Sequence, residues 1–92
     1  MNPPDFYGGL DPVKVHEWMS GMERIFLTVR CSEENKVTLA SQVLKGPASW
    51  WWEGVSTQMT NHGVPRVWKH FKTAFLGEYS PSWLRTQKEF DF

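Results

Sequence analysis

Ninety-two residues are enough for one hydrophobic core, and a 40% apolar share with six tryptophans lets that core form without disulfides or a metal. Ten basic and ten acidic residues cancel to a formal charge of zero, which excludes a long-range field drawing the chain onto a phosphate backbone or an anionic membrane. The single cysteine, Cys31, excludes an intramolecular disulfide and favours a reducing, intracellular compartment, and no run approaches the roughly eighteen apolar residues of a membrane span.

The opening Met1-Asn2-Pro3-Pro4-Asp5 has neither the basic start nor the apolar run of a signal peptide. Pro3, Pro4 and Gly8-Gly9 oppose a helix, while Phe6 and Tyr7 favour burial, so residues 1–11 are expected as an extended arm packed on the core. Asp11-Pro12 then opens a helix: the carboxylate can accept from a first-turn amide, and proline at the first helical position forfeits no hydrogen bond. Val15, Trp18, Met19, Met22, Ile25, Phe26 and Val29 recur at three- and four-residue steps, which predicts an amphipathic helix over 12–30.

Ser32, followed by Glu33 and Glu34, repeats the start signal, and Val37, Ala40, Val43 and Leu44 supply the apolar face of a second helix over 33–45. Gly46 ends it and Pro47 begins a third, over 47–60, in which Ala48, Trp51, Trp52, Val55 and Met59 share a face. After the Thr60-Asn61-His62-Gly63 turn, Pro65 precedes a fourth helix over 65–79 with Trp68, Phe71, Phe75 and Tyr79 inward. Trp83, Leu84, Gln87 and Phe90 predict a fifth over 81–91, and nothing caps it before Phe92, so it reads as cut from something longer. No segment alternates at a strand's period between hairpin turns; the expected fold is all-α, a small bundle of about five helices filling residues 12–92.

The aromatic core is expected to hold Phe6, Trp18, Phe26, Trp51, Trp52, Trp68, Phe71, Phe75 and Tyr79. Neighbours on a helix are turned by about 100°, so Trp50, Trp51 and Trp52 cannot all face inward. Trp51 and Trp52 fall on the apolar stripe, facing Trp18, Phe71 and Phe75. Trp50 is left near the surface, where it could anchor a subunit contact, stack on a base or pack locally.

Chemistry finds little foothold. His16, His62, His70 and Cys31 lack the spacing of a closed zinc site. Cys31 beside a helix start has one ingredient of a nucleophile but no base or oxyanion site in the pattern. Glu17 and Glu23 fall on different helix faces, and no phosphate loop or nucleophile elbow occurs, so we expect no enzyme activity, no cofactor, no metal and no small-molecule substrate. Lys69, His70, Lys72, Arg85 and Lys88 form a basic strip among aromatics that could touch RNA, diluted by Glu78, Glu89 and Asp91.

The order Phe6-x-Gly8, Asp11-Pro12, Trp18, Glu23-Arg24-Ile25-Phe26, Cys31, Lys36-Val37, Ala40, Leu44-x-Gly46-x-Ala48, Trp51-Trp52, Trp68, Phe71-Lys72, Phe75 and Tyr79 resembles retrotransposon gag proteins. In particular it resembles the capsid segment of gypsy-type LTR elements, plant-like in character. The resemblance spans residues 6–90. It implies a fold similar to the retroviral capsid N-terminal domain and a structural role: self-association into a virus-like particle shell around the element's RNA, in cytoplasmic particles. The triple tryptophan departs from the family's usual pair, and the second capsid domain and zinc knuckle expected downstream are absent from this sequence, so RNA would be held mainly by those parts. By analogy with retroviral capsids, the first helices would face neighbouring subunits, making Lys14, Glu17, Gly21, Arg24, Lys36, Ser41 and Trp50 the candidate contact positions. Two other readings remain open: a single-stranded RNA-binding module, and a domesticated adaptor that binds a host peptide in a surface groove.

Overall fold

A computed structural model describes residues 4–9 and 11–80. Four helices follow one another: α1 (Pro12–Thr28), α2 (Glu33–Gln42), α3 (Pro47–Asn61) and α4 (Trp68–Tyr79). The expected helix over 81–91, with Arg85 and Lys88, lies outside the described residues.

The helix starts follow from local chemistry. The Asp11 side chain accepts from the Val13 amide at 3.1 Å with Pro12 directly behind it, and Ser32 Oγ accepts from the Asn35 amide at 3.1 Å. Glu33 and Glu34 then sit in the first turn of α2, where the helix dipole favours negative charge.

The helix ends depart from periodicity. α1 stops at Thr28 because Val29 is extended (φ −101°, ψ 115°). α2 stops at Gln42 rather than 45 because the chain beyond it is engaged by the N-terminal arm. The Phe6 amide donates to Val43 O and the Lys45 amide donates to Phe6 O, both at 2.8 Å, giving a parallel bridge between Phe6 and Leu44. Among the described residues no strand forms, so this bridge is an isolated pairing that satisfies backbone groups an unsupported arm would leave to water. Val67 is extended (φ −110°, ψ 162°), so α4 begins at Trp68 rather than at 65.

Gly46 makes the corner between α2 and α3 with φ 53° and ψ −129°, a backbone region that L side chains avoid. Pro47 can then open α3 in a new direction. Gly63, with φ 70°, turns the chain out of α3, and the Val64 amide closes that turn on Met59 O at 2.8 Å.

α4 is the central element, packed against both α1 and α2. Its Phe71 and Phe75 have no solvent exposure, and Trp18, Met19, Met22, Val37, Ala40, Leu44, Ala48 and Trp52 are buried around them. Ring contacts carry much of this packing: Trp18 stacks on Phe75 at 4.8 Å, Trp52 meets Phe71 edge-on at 5.0 Å, and Phe6 meets Tyr79 edge-on at 5.0 Å. Phe6 is buried as expected of the arm, whereas Tyr7, which we also expected to seek burial, is 62% exposed, because successive residues of an extended segment point to opposite sides.

Candidate functional site

The expected contact positions fall into three groups. Lys14, Glu17, Gly21 and Arg24 lie on α1; Lys14, Glu17 and Arg24 are exposed, and Gly21 is half-buried. Glu17 and Arg24 lie on the side of the helix away from the buried Val15, Trp18, Met19 and Met22, with Gly21 at its border, whereas Lys14 lies beside the N-terminal arm, lining a depression with Asp5, Phe6 and Trp18. A β-carbon built at Gly21 meets nothing within 4 Å, so no neighbour within the molecule requires glycine there. Val13, His16, Glu17, Ser20, Gly21 and Arg24 border a shallow depression of about 480 Å³ along this face.

Lys36 and Ser41, on α2, are half-buried and engaged within the molecule. Lys36 Nζ lies 3.2 Å from Glu33 Oε1 and 5.7 Å above the centre of the Phe26 ring, so its charge ties α2 to α1. Ser41 Oγ donates to Thr38 O at 2.8 Å. Ser41 also lines a groove of about 490 Å³ with Glu34, Val37, Trp52, Val64 and Arg66, between α2 and the connection from α3 to α4.

Trp50 stands apart, on the first turns of α3, with 70% of its surface exposed. Trp51 is half-buried against Phe75 and Tyr79 at 6.1 and 5.4 Å, and Trp52 is buried. The run is thus divided by rotation about the helix axis into outward, lateral and inward indoles. Tyr7 lies near the same corner, since a β-carbon at Gly46 would meet Tyr7 Cδ1 at 3.8 Å and the Trp50 amide donates to Gly46 O. Periodicity could not place Tyr7 there, because the arm has no helical register to count from.

The candidate RNA contacts are not equivalent. Lys69 is exposed, but Lys72 Nζ lies 3.0 Å from Glu23 Oε2, the same oxygen that accepts from Trp68 Nε1 at 3.1 Å. Its charge is already partnered, and Arg85 and Lys88 lie outside the described residues. His70 Nδ1 donates to Pro65 O at 2.8 Å and so caps the approach to α4. Burial, then the neighbouring Glu78 carboxylate, raises the Tyr79 phenol above its ordinary value of 10.0. Among the described residues, no three of His, Cys, Asp and Glu gather in a way that could hold a metal ion, and no helix is long and apolar enough to cross a membrane.

Residues 1–80 match the family described as retrotransposon-derived protein PEG10, N-terminal capsid-like domain. No curated protein and no solved structure matches the chain significantly. The family match runs from the arm through the whole of α4, so the fold and the match describe the same unit. This chain belongs to the retrotransposon-derived gag capsid-like domains, a structural and non-catalytic family.

Proposed function

We propose that the chain is a capsid tile of a gypsy-type LTR element, a rigid helical block that self-associates into the shell of a virus-like particle. The observation that carries this reading is the outward face of α1. It sets Glu17, Ser20 and Arg24 between exposed Val13 and Leu27, with Gly21 at its border, while α4 and its aromatic core close the opposite side. A face of this kind supports weak contacts, and a closed shell needs only weak contacts because it repeats them many times.

Sedimentation velocity across protein concentration and salt, with and without a single-stranded RNA, tests the reading. Association that is independent of RNA supports the tile, whether or not salt weakens it, because contacts between exposed charges of two copies are screened by salt as well. Tight RNA binding abolished by salt would replace it with an RNA-binding module, a reading weakened by the pairing of Lys72 with Glu23.

A second reading is favoured by the groove between α2 and the α3–α4 connection, where exposed Val64 offers apolar surface between Glu34 and Arg66, above the buried Val37 and Trp52. In that reading the tile serves as an adaptor for an extended peptide. A strict monomer indifferent to RNA would favour it.

A further inference from the structure

α1 carries a narrow outward stripe. Val13, Glu17, Ser20, Arg24 and Leu27 succeed one another at steps of three and four residues, opposite buried Val15, Trp18, Met19 and Met22. All five are exposed, Leu27 to 86% and Val13 to 64%. The ion pairs among the described residues are Lys36–Glu33 and Lys72–Glu23, so the charges of Glu17 and Arg24 are not committed to one.

The stripe reverses its charge about its middle. Glu17 stands three positions before Ser20, and Arg24 stands three positions after Gly21, with Val13 and Leu27 closing the two ends. A second copy turned end for end about the Ser20–Gly21 pair therefore meets the first with acid on base at both charged positions and, one residue or about 1.5 Å out of exact register, apolar on apolar at both ends. A parallel pairing in the same register would set Glu17 on Glu17 and Arg24 on Arg24, which like-charge repulsion opposes.

We propose that α1 pairs antiparallel with α1 of a second copy, about a two-fold axis through Ser20–Gly21. The proposal rests on the self-association reading and specifies its contact. Glu17 binds the partner's Arg24 and Arg24 binds the partner's Glu17, while Val13 packs on the partner's Leu27. Gly21 is the independent sign. Helix interiors disfavour glycine, its backbone does not take the positive φ that would demand it, and a β-carbon there touches nothing in its own molecule. Two helices crossing at serine and glycine can approach at the short end of the roughly 8–10 Å range of helix spacings.

The expected strength is low. A 17-residue helix is about 26 Å long, and one such pair covers less than the roughly 800 Å² per partner of a standard stable interface. The contact is therefore a reversible link, suited to repetition rather than to a permanent dimer.

Charge reversal in the full chain tests this. Each single variant, Glu17→Arg or Arg24→Glu, sets like charges together twice and should weaken self-association at least about tenfold in sedimentation velocity. Mixing the two single variants one to one should restore association to within about threefold of the unaltered chain, because each mixed pair again sets acid on base. The double variant should recover in the same way. Self-association that ignores the single reversals, or single variants that do not recover on mixing, would overturn the α1 pairing and leave the tile reading intact with another face in contact. An unaltered chain that stays monomeric at every accessible concentration would overturn both.

Discussion

Trp18 Nε1 donates to the carbonyl of Pro4 across 2.9 Å, so a side chain in the middle of α1 holds the N-terminal arm in place. The arm then delivers Phe6 to the core and its backbone to Val43 and Lys45. Trp18→Phe would keep an aromatic ring in the core but remove the donor, and should cost about 1 kcal/mol from the hydrogen bond, with a further loss from the smaller ring. Hydrogen exchange should accelerate at the Phe6 and Lys45 amides more than at the α3 amides. Uniform acceleration across the molecule would show that the bond is not a local tether.

Glu23 joins α1 to α4 through one oxygen, accepting from Trp68 and Lys72. Both charged side chains are more than a third exposed, so solvent screens the ion pair and it adds little, up to about 1 kcal/mol. Glu23→Gln retains an acceptor for the indole and should stay within about 1 kcal/mol of the parent in urea denaturation. Glu23→Ala leaves the indole N–H without its partner and should cost about 1–3 kcal/mol. Equal losses in the two variants would assign the effect to the charge.

Two glycines should respond oppositely to alanine. Gly46→Ala forces a β-carbon into a positive-φ corner and should destabilise by about 1–3 kcal/mol. Gly21→Ala places its β-carbon in open space within a helix and should stabilise the isolated monomer by about 0.5–1 kcal/mol. Thermal denaturation of dilute protein separates the two. If the α1 contact is right, Gly21→Ala should raise monomer stability and weaken association together.

The tryptophan run should divide under substitution. Trp52→Ala removes a buried indole packed on Phe71 and should cost about 3–5 kcal/mol. Trp50→Ala should change stability by no more than about 0.5 kcal/mol, because that indole is largely in solvent. Chemical denaturation of both variants tests the contrast, and a large loss at Trp50 would mean that its exposed ring is part of the fold.

Tyr79 should make the fold sensitive to alkali. Its phenol holds the proton more tightly folded than unfolded, so the associated stability is fully present below pH 10.0 and is lost as pH rises through that value toward the raised folded one. Between pH 8 and 11, the parent should lose stability more steeply than Tyr79→Phe, which carries no titrating group there. Parallel slopes would remove Tyr79 as the source.

The sequence by itself determined the helical class and the positions of the starts that have a local cause. Asp11-Pro12 and Ser32 with its two glutamates act within one turn, through capping bonds and the helix dipole, so they can be read without any knowledge of distant residues. The outward turn of Trp50 follows from the same kind of local cause, since rotation per residue is a property of the helix alone, whereas Trp51, expected in the core beside Trp52, is only half-buried at its edge. The ordered resemblance to gag proteins was legible too, and residues 1–80 do match a capsid-like family. Tertiary structure decided the rest. The end of α2 depends on Phe6, far back in the chain, competing successfully for the backbone of Val43 and Lys45. The withdrawal of Lys72 into a pair with Glu23 depends on α1 and α4 lying side by side. Tyr7 emerged and Phe6 went in because the arm is extended where it crosses α2, a choice made by the partner it meets and not by its own residues. Contacts of long sequence separation carry no local pattern, and that is why periodicity located the helices but not the joints between them.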